Sequence, residues 1–274
     1  MTRSETLKAG GMTWGFGRVG QFGGYPVIVH HGLVGDAALG PTWAELARAH
    51  GIEWIVIERP GYGATPPTEM DRLSDWPAMI APVLNELGLT ERFAAVGISA
   101  GAPYAYACAA GMPDRVSHLA ILSGVPFLHF TGVLDAYPPD GRAAYARYRT
   151  ASDADLRDEF QVFCRNAVAR VIESGDVDSD RMRASLDAVL RHDAAGPARE
   201  ARLQAVDWGF GPADIVCPTD IWHFKGDEMV PFKAAQHSAT HLPKAATHFA
   251  MGAGHIATEG MLEEMARVLA QSIR

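Results

Sequence analysis

The first half of the chain alternates between short apolar runs and longer segments whose apolar residues recur at helical spacing. Short apolar runs bounded by glycine or proline are typical of buried strands, and apolar residues at i, i+3 and i+4 are typical of helices. Strands are predicted at 25–30, 52–58, 93–98 and 116–123, with helices at 43–50, 71–87 and 100–110. Such alternation implies right-handed crossovers, so the sequence predicts an α/β fold with a mostly parallel central sheet flanked by helices.

The pattern changes after residue 124. From 125 to 210 no strand is predicted, and four helices are expected, at 140–150, 153–174, 178–192 and 197–208, with Asp153 and Asp178 at N-cap positions. Strands then return at 219–225 and 246–251, with helices at 231–241 and 258–273. We therefore expect residues 1–124 and 211–274 to form one core, with 125–210 inserted as an all-helical cap, since the insertion exceeds ordinary loop lengths.

Composition narrows the class of protein. The chain has 274 residues, of which 48% are hydrophobic and 20% charged, values that exclude a disordered or fibrous protein. Its net charge of −8 disfavours nucleic acid and anionic membrane surfaces as partners. The three cysteines are widely spaced and odd in number, so no disulfide framework is expected.

The N-terminal segment lacks the apolar stretch of a secretory signal. Residues 93–113 carry no formal charge, but their glycines and prolines favour a strand, a sharp turn and a helix over a membrane span. We expect a cytoplasmic protein without membrane association, and a homodimer is compatible with the sequence.

The sharpest chemical signal is GISAG at 97–101, which fits G-x-S-x-G between a predicted strand and a predicted helix. In this setting the strained turn lifts the hydroxyl of Ser99 to the carboxyl edge of the sheet, where α/β folds place their sites. A serine hydroxyl needs a base, and the base needs an orienting acid. Asp227 and His255 follow the last two predicted strands and would lie at the same edge.

Several segments carry a family likeness: HG at 31–32, RPGYG at 59–63, GISAG at 97–101, GDEMVP at 226–231 and GAGH at 252–255. Over almost its whole length the sequence resembles the α/β-hydrolase fold superfamily, whose members carry a cap where this chain has its helical insertion. The resemblance implies that Ser99 is the nucleophile, His255 the base and then acid, and Asp227 its partner. It further implies an oxyanion hole made by the backbone N–H groups of Leu33, with Val34 as an alternative, and of Ala100.

For the acid and the base, the sequence offers alternative residues. Gly226 and Asp227 are adjacent where many relatives have two intervening residues, which leaves Glu228 as an alternative acid. Glu58 stands where relatives often have aspartate and is interpreted as structural. His30, His31 and His248 are alternative bases, although the family takes its base from the last turn. His31 is expected to brace the oxyanion loop, and His248 to be a core residue.

Two motifs point to other chemistry. GFGRVG at 15–20 matches a dinucleotide-binding fingerprint, but a strand rather than a helix follows it, so we interpret it as a β-hairpin bend. His237 and His241 have a metal-capable spacing, but the acid of the zinc-protease motif is absent, so surface histidines are expected. We expect neither a cofactor nor a metal.

The sequence therefore predicts a cofactor-independent serine hydrolase that cleaves a small, fairly apolar ester or lactone through an acyl-enzyme. The candidate pocket residues are His31, Phe127, Phe130, Tyr137 and Phe163, although the aromatic side chains could equally be core residues that hold the cap. Three alternatives stay open: a carbon–carbon bond hydrolase, a cofactor-free perhydrolase, and a non-catalytic ligand-binding protein of the same fold. Haloalkane dehalogenases and epoxide hydrolases fit less well, because those relatives have aspartate in place of Ser99.

Overall fold

The computed structural model of the protein describes residues 4–175 and 178–272. Within these residues eight strands form one sheet: β1 (Glu5–Ala9), β2 (Met12–Gly20), β3 (Tyr25–His30), β4 (Ile52–Ile57), β5 (Phe93–Ile98), β6 (Val116–Leu122), β7 (Thr219–Phe224) and β8 (Ala245–Ala250). Their order in the sheet is β1-β2-β4-β3-β5-β6-β7-β8, and β3 to β8 run parallel. The predicted mostly parallel sheet is confirmed, and each strand predicted from the sequence is present.

The same part of the chain holds nine α-helices: α1 (Pro41–His50), α2 (Trp76–Glu86), α3 (Ala102–Gly111), α4 (Pro139–Tyr148), α5 (Asp153–Ser174), α6 (Ser179–Leu190), α7 (Ala195–Ala205), α8 (Phe232–Ala239) and α9 (Glu259–Ser272). Side chains alternate between the two faces of a strand. Val27 and Val29 accordingly pack with residues of α1 and α9, whereas Ile28 packs with residues of α2, α3 and α8. The sheet is therefore covered by helices on both faces. No helix in the described part of the chain is long and apolar enough to cross a membrane.

The strand order places the candidate site. After β3 the chain turns to β4 on one side, and it then crosses to β5 on the other side of β3. The loops that leave the carboxyl ends of β3 and β5 therefore diverge and leave a crevice between them. Parallel α/β sheets bind their ligands at such a switch point.

The glycines of segment 15–20 are not a hairpin bend, and that interpretation is wrong. The segment lies within β2, and the hairpin turn stands earlier, between β1 and β2 at Gly10 and Gly11. A Cβ added to Gly15 would lie 1.7 Å from the Glu58 carboxylate, and one added to Gly17 would lie 2.1 Å from the carbonyl oxygen of Ala37. The glycines thus allow close packing, and the helix that a dinucleotide fingerprint needs is replaced by a strand.

Between β6 and β7 the described residues form α4 to α7 and no strand, as the sequence pattern predicts. Leu156 and Phe160 of α5, Val189 of α6 and Ala198 of α7 belong to a small apolar cluster of their own. The loop after β3 contributes Leu33 and Val34 to this cluster. The helical insertion thus packs directly over the crevice at the switch point.

Some predicted helix ends are wrong. The helix predicted from residue 71 begins as a 3₁₀ turn at 73–75, because the Asp75 carboxylate accepts the amides of Asp71 and Arg72 at 3.0 Å and holds them outside it. The N-cap of α5 is Ser152 rather than Asp153, whereas Asp178 does cap α6. The sequence predicts that the final helix reaches residue 273, which lies outside the described residues.

Candidate active site

Ser99 stands on a sharp turn between β5 and α3. Its backbone has a φ of 50°, in the left-handed region, and residues 99–101 form a 3₁₀ turn before α3 begins. The turn fits only because its flanking residues lack side chains. A Cβ on Gly97 would lie 2.5 Å from the Cα of Ala102, and one on Gly101 would lie 2.1 Å from the carbonyl oxygen of His30. The glycines of the GISAG segment therefore bring β3, β5 and α3 into close contact beneath Ser99.

This packing gives a stability prediction. Gly101→Ala is expected to lower the free energy of unfolding by about 3 kcal/mol, because the clash is with backbone that has no rotamer to escape it. The measurement is urea denaturation followed by circular dichroism. The matched control is Gly260→Ala in the first turn of α9, where an added Cβ meets no atom within 4 Å. That variant is expected to keep or slightly raise stability, and equal effects of the two substitutions would contradict the packing argument.

His255 lies between Ser99 and Asp227. Its Nε2 is 2.7 Å from the Oγ of Ser99, and its Nδ1 is 2.8 Å from Oδ2 of Asp227. Ser99 follows β5, Asp227 follows β7 and His255 follows β8, so the three residues come together at the carboxyl edge of the sheet. A carboxylate can only accept, which makes Nδ1 the protonated nitrogen and leaves Nε2 to accept the serine proton.

Asp227 is held by backbone amides as well as by His255. Its Oδ1 accepts the N–H groups of Met229 and Val230, each at 2.9 Å, and its side chain is fully buried. His223 Nε2 donates to the carbonyl oxygen of Val230 at 2.9 Å and lies 3.5 Å from Oδ2 of Asp227. Burial lowers the pKa of His223. Glu228, the alternative acid, is exposed and stands outside this arrangement.

The loop after β3 runs beside Ser99. A Cβ added to Gly32 would lie 3.8 Å from the Cβ of Ser99, and Leu33 lines the same cavity as Ser99. Ala100 is the second residue of the 3₁₀ turn, and the first amides of a helix have no partner within it. The amides of Leu33 and Ala100, both predicted oxyanion donors, thus stand in segments that flank the Ser99 hydroxyl.

A cavity of about 630 Å³ opens over Ser99 and His255. Its wall is mostly apolar and comes from the loop after β3, from α1, α5 and α6, and from the loops after β7 and β8. Examples are Leu39, Trp43, Val168, Met182, Met229 and Ile256. The helical insertion therefore supplies one side of the cavity and the sheet edge supplies the other.

Of the five predicted pocket residues, His31 and Phe163 line this cavity. The prediction is wrong for Phe127, Phe130 and Tyr137, which do not line it. Phe127 is fully buried, with Tyr106 and Trp208 at ring distances of 4.6 and 5.0 Å. Phe130 packs on His241 at 4.5 Å, and Tyr137 on Tyr145 at 5.6 Å. Phe127 and Tyr137 are core residues and Phe130 is half-buried against the same core, which is the alternative that the sequence left open.

Two ion pairs at the site involve partners far apart in sequence. Arg181 of α6 binds Asp36 with two hydrogen bonds of 2.6 Å, and both residues line the cavity. Arg59 after β4 pairs with Glu200 of α7 in the protein interior. Sequence reasoning gave none of the four residues a role at this site. The RPGYG segment draws attention to Arg59, but nothing local indicates which helix of the insertion supplies its partner.

The alternative bases have partners other than Ser99. His30 is fully buried against Trp76 and Tyr104, and burial, together with the charge of Arg59, lowers its pKa to about 3. His248 lies in β8, stacks on Trp222 and contacts Asp220 at 2.6 Å. His31 Nδ1 is engaged with the carbonyl oxygen of Gly32 at 2.8 Å. His255 is therefore the histidine that faces Ser99.

The remaining candidate residues fit structural roles. His237 Nε2 contacts the carbonyl oxygen of Thr131 at 3.0 Å, and its ring packs on His241. Within residues 4–175 and 178–272, no group of three or more histidine, cysteine, aspartate or glutamate side chains is placed to hold a metal ion. Cys108, Cys164 and Cys217 are buried and free.

Solved structures of several proteins resemble this chain. An α/β-hydrolase fold protein from Nakamurella multipartita is 22% identical with a TM-score of 0.62, and the match covers 99% of this chain and 100% of the other. An esterase from Exiguobacterium antarcticum is 15% identical with a TM-score of 0.70, over 99% and 98% of the two chains. An epoxide hydrolase from Vigna radiata is 15% identical with a TM-score of 0.71, over 99% and 97%. At these identities the likeness shows the fold alone.

The sequence itself matches a family model. Comparison with curated proteins gives no match. The model of the α/β-hydrolase fold matches residues 25–259, which include β3 to β8 and the segments that hold Ser99, Asp227 and His255. Together with the sheet order, this match shows that the chain belongs to the α/β-hydrolase fold family.

Proposed function

We propose that the protein is a cofactor-independent serine hydrolase that cleaves a small, apolar ester or lactone. The observation that carries the proposal is the continuous chain of contacts from the Ser99 hydroxyl through His255 to the buried Asp227 carboxylate. Such a chain activates a hydroxyl that is otherwise a poor nucleophile at neutral pH. A structural role for Ser99 would not require a histidine with its free nitrogen against the hydroxyl at the mouth of a cavity.

The proposed reaction has two halves. Ser99 Oγ attacks the carbonyl carbon while its proton moves to Nε2 of His255, and the carbonyl oxygen becomes an oxyanion bound by the amides of Leu33 and Ala100. Nε2 then returns the proton to the leaving alcohol oxygen as the C–O bond breaks. A water molecule next gives its proton to Nε2 and attacks the acyl carbon. Collapse of the second oxyanion releases the acid, and His255 returns the proton to Ser99.

The identity of the nucleophile favours esters over epoxides. Solved neighbours include both an esterase and an epoxide hydrolase. The epoxide hydrolases and dehalogenases that the sequence resembles use aspartate at the position of Ser99. A serine at that position gives an acyl-enzyme with a carbonyl substrate, whose hydrolysis water completes. We therefore assign this chain to the ester-cleaving branch of the family's chemistry.

The helical insertion acts in this proposal as the cap of the site. Residues 125–210 contribute Phe163, Val168 and Met182 to the cavity wall, which they share with Leu33 of the loop after β3. Water-excluding walls strengthen the electrostatic interactions within a site. The cap thus selects an apolar substrate and shields the oxyanion from bulk solvent.

The cavity gives the first test. For p-nitrophenyl esters, kcat/KM is expected to rise from acetate to hexanoate by at most about fourfold per methylene, because each buried CH₂ contributes about 0.8 kcal/mol, and to fall once the acyl chain exceeds the cavity. A matched pair tests polarity: the butyrate ester should be a better substrate than the hemisuccinate ester, whose four-carbon acyl chain ends in a carboxylate.

Hydrolysis is measured as nitrophenolate release. Separately, the protein is treated with a fluorophosphonate, and mass spectrometry locates the labelled residue. Labelling of Ser99 together with a rising chain-length profile supports the proposal. Folded protein that neither hydrolyses any ester of the series nor is labelled at Ser99 would contradict it and favour a ligand-binding role.

A further inference from the structure

Arg59 lies directly behind the loop that carries Leu33. Its Nη1 donates to the carbonyl oxygen of His31 at 2.6 Å, and its Nη2 donates to that of Gly32 at 3.3 Å. The side chain is completely buried. The Gly32 carbonyl oxygen has a second partner in the loop itself, Nδ1 of His31 at 2.8 Å. The peptide between Gly32 and Leu33 is therefore held through its oxygen by two side chains.

Holding that oxygen also fixes the Leu33 amide. A peptide unit is planar, and in its trans form the C=O and N–H bonds point in opposite directions. With the Gly32 oxygen turned towards Arg59, the N–H of Leu33 is turned away from Arg59. Leu33 lines the cavity over Ser99, whereas Arg59 lies behind the loop, so this orientation presents the amide to the site.

Arg59 is itself firmly held. Its Nε donates to Oε1 of Glu200, a residue of α7 that is as deeply buried as Arg59. The rings of Tyr62 and Tyr104 lie 5.1 and 4.8 Å from the guanidinium carbon. Burial opposes the charge, but Glu200, Tyr62 and Tyr104 together outweigh that effect, so the pKa of Arg59 lies above its ordinary value. The guanidinium thus stays charged and fixed in position, with each of its three nitrogens hydrogen-bonded.

We propose that Arg59 is a positioning residue for the oxyanion hole: through the carbonyls of His31 and Gly32 it aims the Leu33 amide at the reacting carbonyl oxygen, and Glu200 of the helical insertion holds it in place. The inference rests on the proposed function. It makes the insertion part of the catalytic geometry as well as a wall of the cavity.

A purely structural role for Arg59 would have a different signature. An oxyanion donor acts on the transition state, so its loss lowers kcat while KM stays nearly constant. An alkyl trifluoromethyl ketone forms a tetrahedral adduct with the nucleophile and places an oxyanion in the same position. Misplacing the donor therefore weakens this inhibitor by the same factor as it lowers kcat/KM. A smaller folded fraction lowers the apparent rate but leaves the inhibition constant of the folded enzyme unchanged.

The experiment compares wild type with Arg59→Lys, using p-nitrophenyl butyrate as substrate and hexyl trifluoromethyl ketone as inhibitor, with rates expressed per active site titrated by a fluorophosphonate. Lysine keeps the charge but lacks the planar fork that spans two carbonyls and a carboxylate. We expect kcat/KM to fall by about 10- to 100-fold, somewhat less than for removal of an oxyanion donor, with KM within about threefold of wild type. The inhibition constant should rise by the same factor as kcat/KM falls.

Two further variants accompany it. Arg115→Lys is the matched control, since Arg115 also donates to a backbone carbonyl, that of Leu89, and lies over a ring, that of Phe93, but stands before β6 at the opposite edge of the sheet. It should leave both constants unchanged.

Glu200→Gln keeps an oxygen acceptor for Nε and removes one charge. We expect a smaller fall in kcat/KM than for Arg59→Lys, again matched by an equal rise in the inhibition constant. If Arg59→Lys does not fold, this variant provides the test.

Proportional changes in kcat/KM and in the inhibition constant support the inference. A folded Arg59→Lys variant with wild-type kcat/KM overturns it, and so does a fall in kcat/KM at an unchanged inhibition constant. If wild type itself neither hydrolyses the ester nor binds the ketone, the proposed function fails, and the inference falls with it. The wild-type measurement thus separates the two failures.

Discussion

Replacement of Ser99 by alanine is expected to lower kcat for p-nitrophenyl butyrate by about 10⁴- to 10⁶-fold, the range found when the nucleophile of a serine–histidine–carboxylate set is removed. The Oγ that lies 2.7 Å from His255 Nε2 is the atom that would form the acyl-enzyme, and alanine leaves no atom to replace it. The measurement is steady-state hydrolysis together with fluorophosphonate labelling, which should be lost in parallel.

The chain offers a close control for this substitution. Ser123 also follows a parallel strand, β6, is buried, and has a φ of 45°. It differs in that it is not among the residues that line the cavity, and the hydrogen bonds of His255 go to Ser99 and Asp227 instead. Ser123→Ala carries the same change in side chain and a similar backbone strain, and it should retain activity within about threefold, as expected for a site without a catalytic contact. Equal losses in the two variants would show that the Ser99 effect is one of folding and would refute its role as nucleophile.

The residues at the sheet edge could be predicted from the sequence because each depends on local pattern. The apolar runs indicate the strands, glycines at 97 and 101 mark the turn of Ser99, and Asp227 and His255 lie within five residues of the ends of strands. Parallel strands bring such positions to one edge whatever the remaining packing. The choice between Asp227 and Glu228 needed the structure, in which Gly226 packs closely on the Gly252 carbonyl: a Cβ added to Gly226 would lie 2.7 Å from that oxygen.

The cavity wall and the ion pairs could not be predicted in this way. Whether Phe127 or Phe163 faces the cavity depends on how the helices of the insertion pack on the sheet, and the pattern of either segment marks both residues only as buried. Arg59 and Glu200 are 141 residues apart, and Asp36 and Arg181 are 145 apart. Their pairing becomes visible only when α6 and α7 lie over the loops after β3 and β4. Tertiary packing of this kind leaves no periodic signal in a single sequence.

The same contacts limit how the site can be assembled. The loop of Leu33 is bound from behind by Arg59, and its continuation at Asp36 is bound by Arg181. Both arginines connect it to the helical insertion, Arg59 through Glu200 of α7 and Arg181 as part of α6. Ser99 and His255 depend instead on the strands of the core. Substitutions in the insertion are therefore expected to act on the loop of Leu33 and the cavity, and less on the contact between Ser99 and His255.

Asp227→Asn is expected to lower kcat by about 10⁴-fold while the protein stays folded, whereas Glu228→Gln should leave kcat nearly unchanged. The reason lies in the two amides, of Met229 and Val230, that donate to Oδ1 of Asp227. These two N–H groups need an acceptor, and the acceptor in an asparagine side chain is its oxygen. The NH₂ group of the asparagine would therefore face Nδ1 of His255. Nδ1 would then have to accept, Nε2 would carry the proton, and the imidazole could no longer take the proton of Ser99.

The two variants decide between the candidate acids, since each replaces one carboxylate by an amide of the same shape. Kinetics with p-nitrophenyl butyrate and thermal denaturation are measured for both, so that loss of activity is compared at equal folding. A larger loss for Glu228→Gln than for Asp227→Asn would assign the acid to Glu228. Because Glu228 is exposed and Asp227 is buried against His255, we expect the opposite order, and its size reports how strictly the site depends on the tautomer of one histidine.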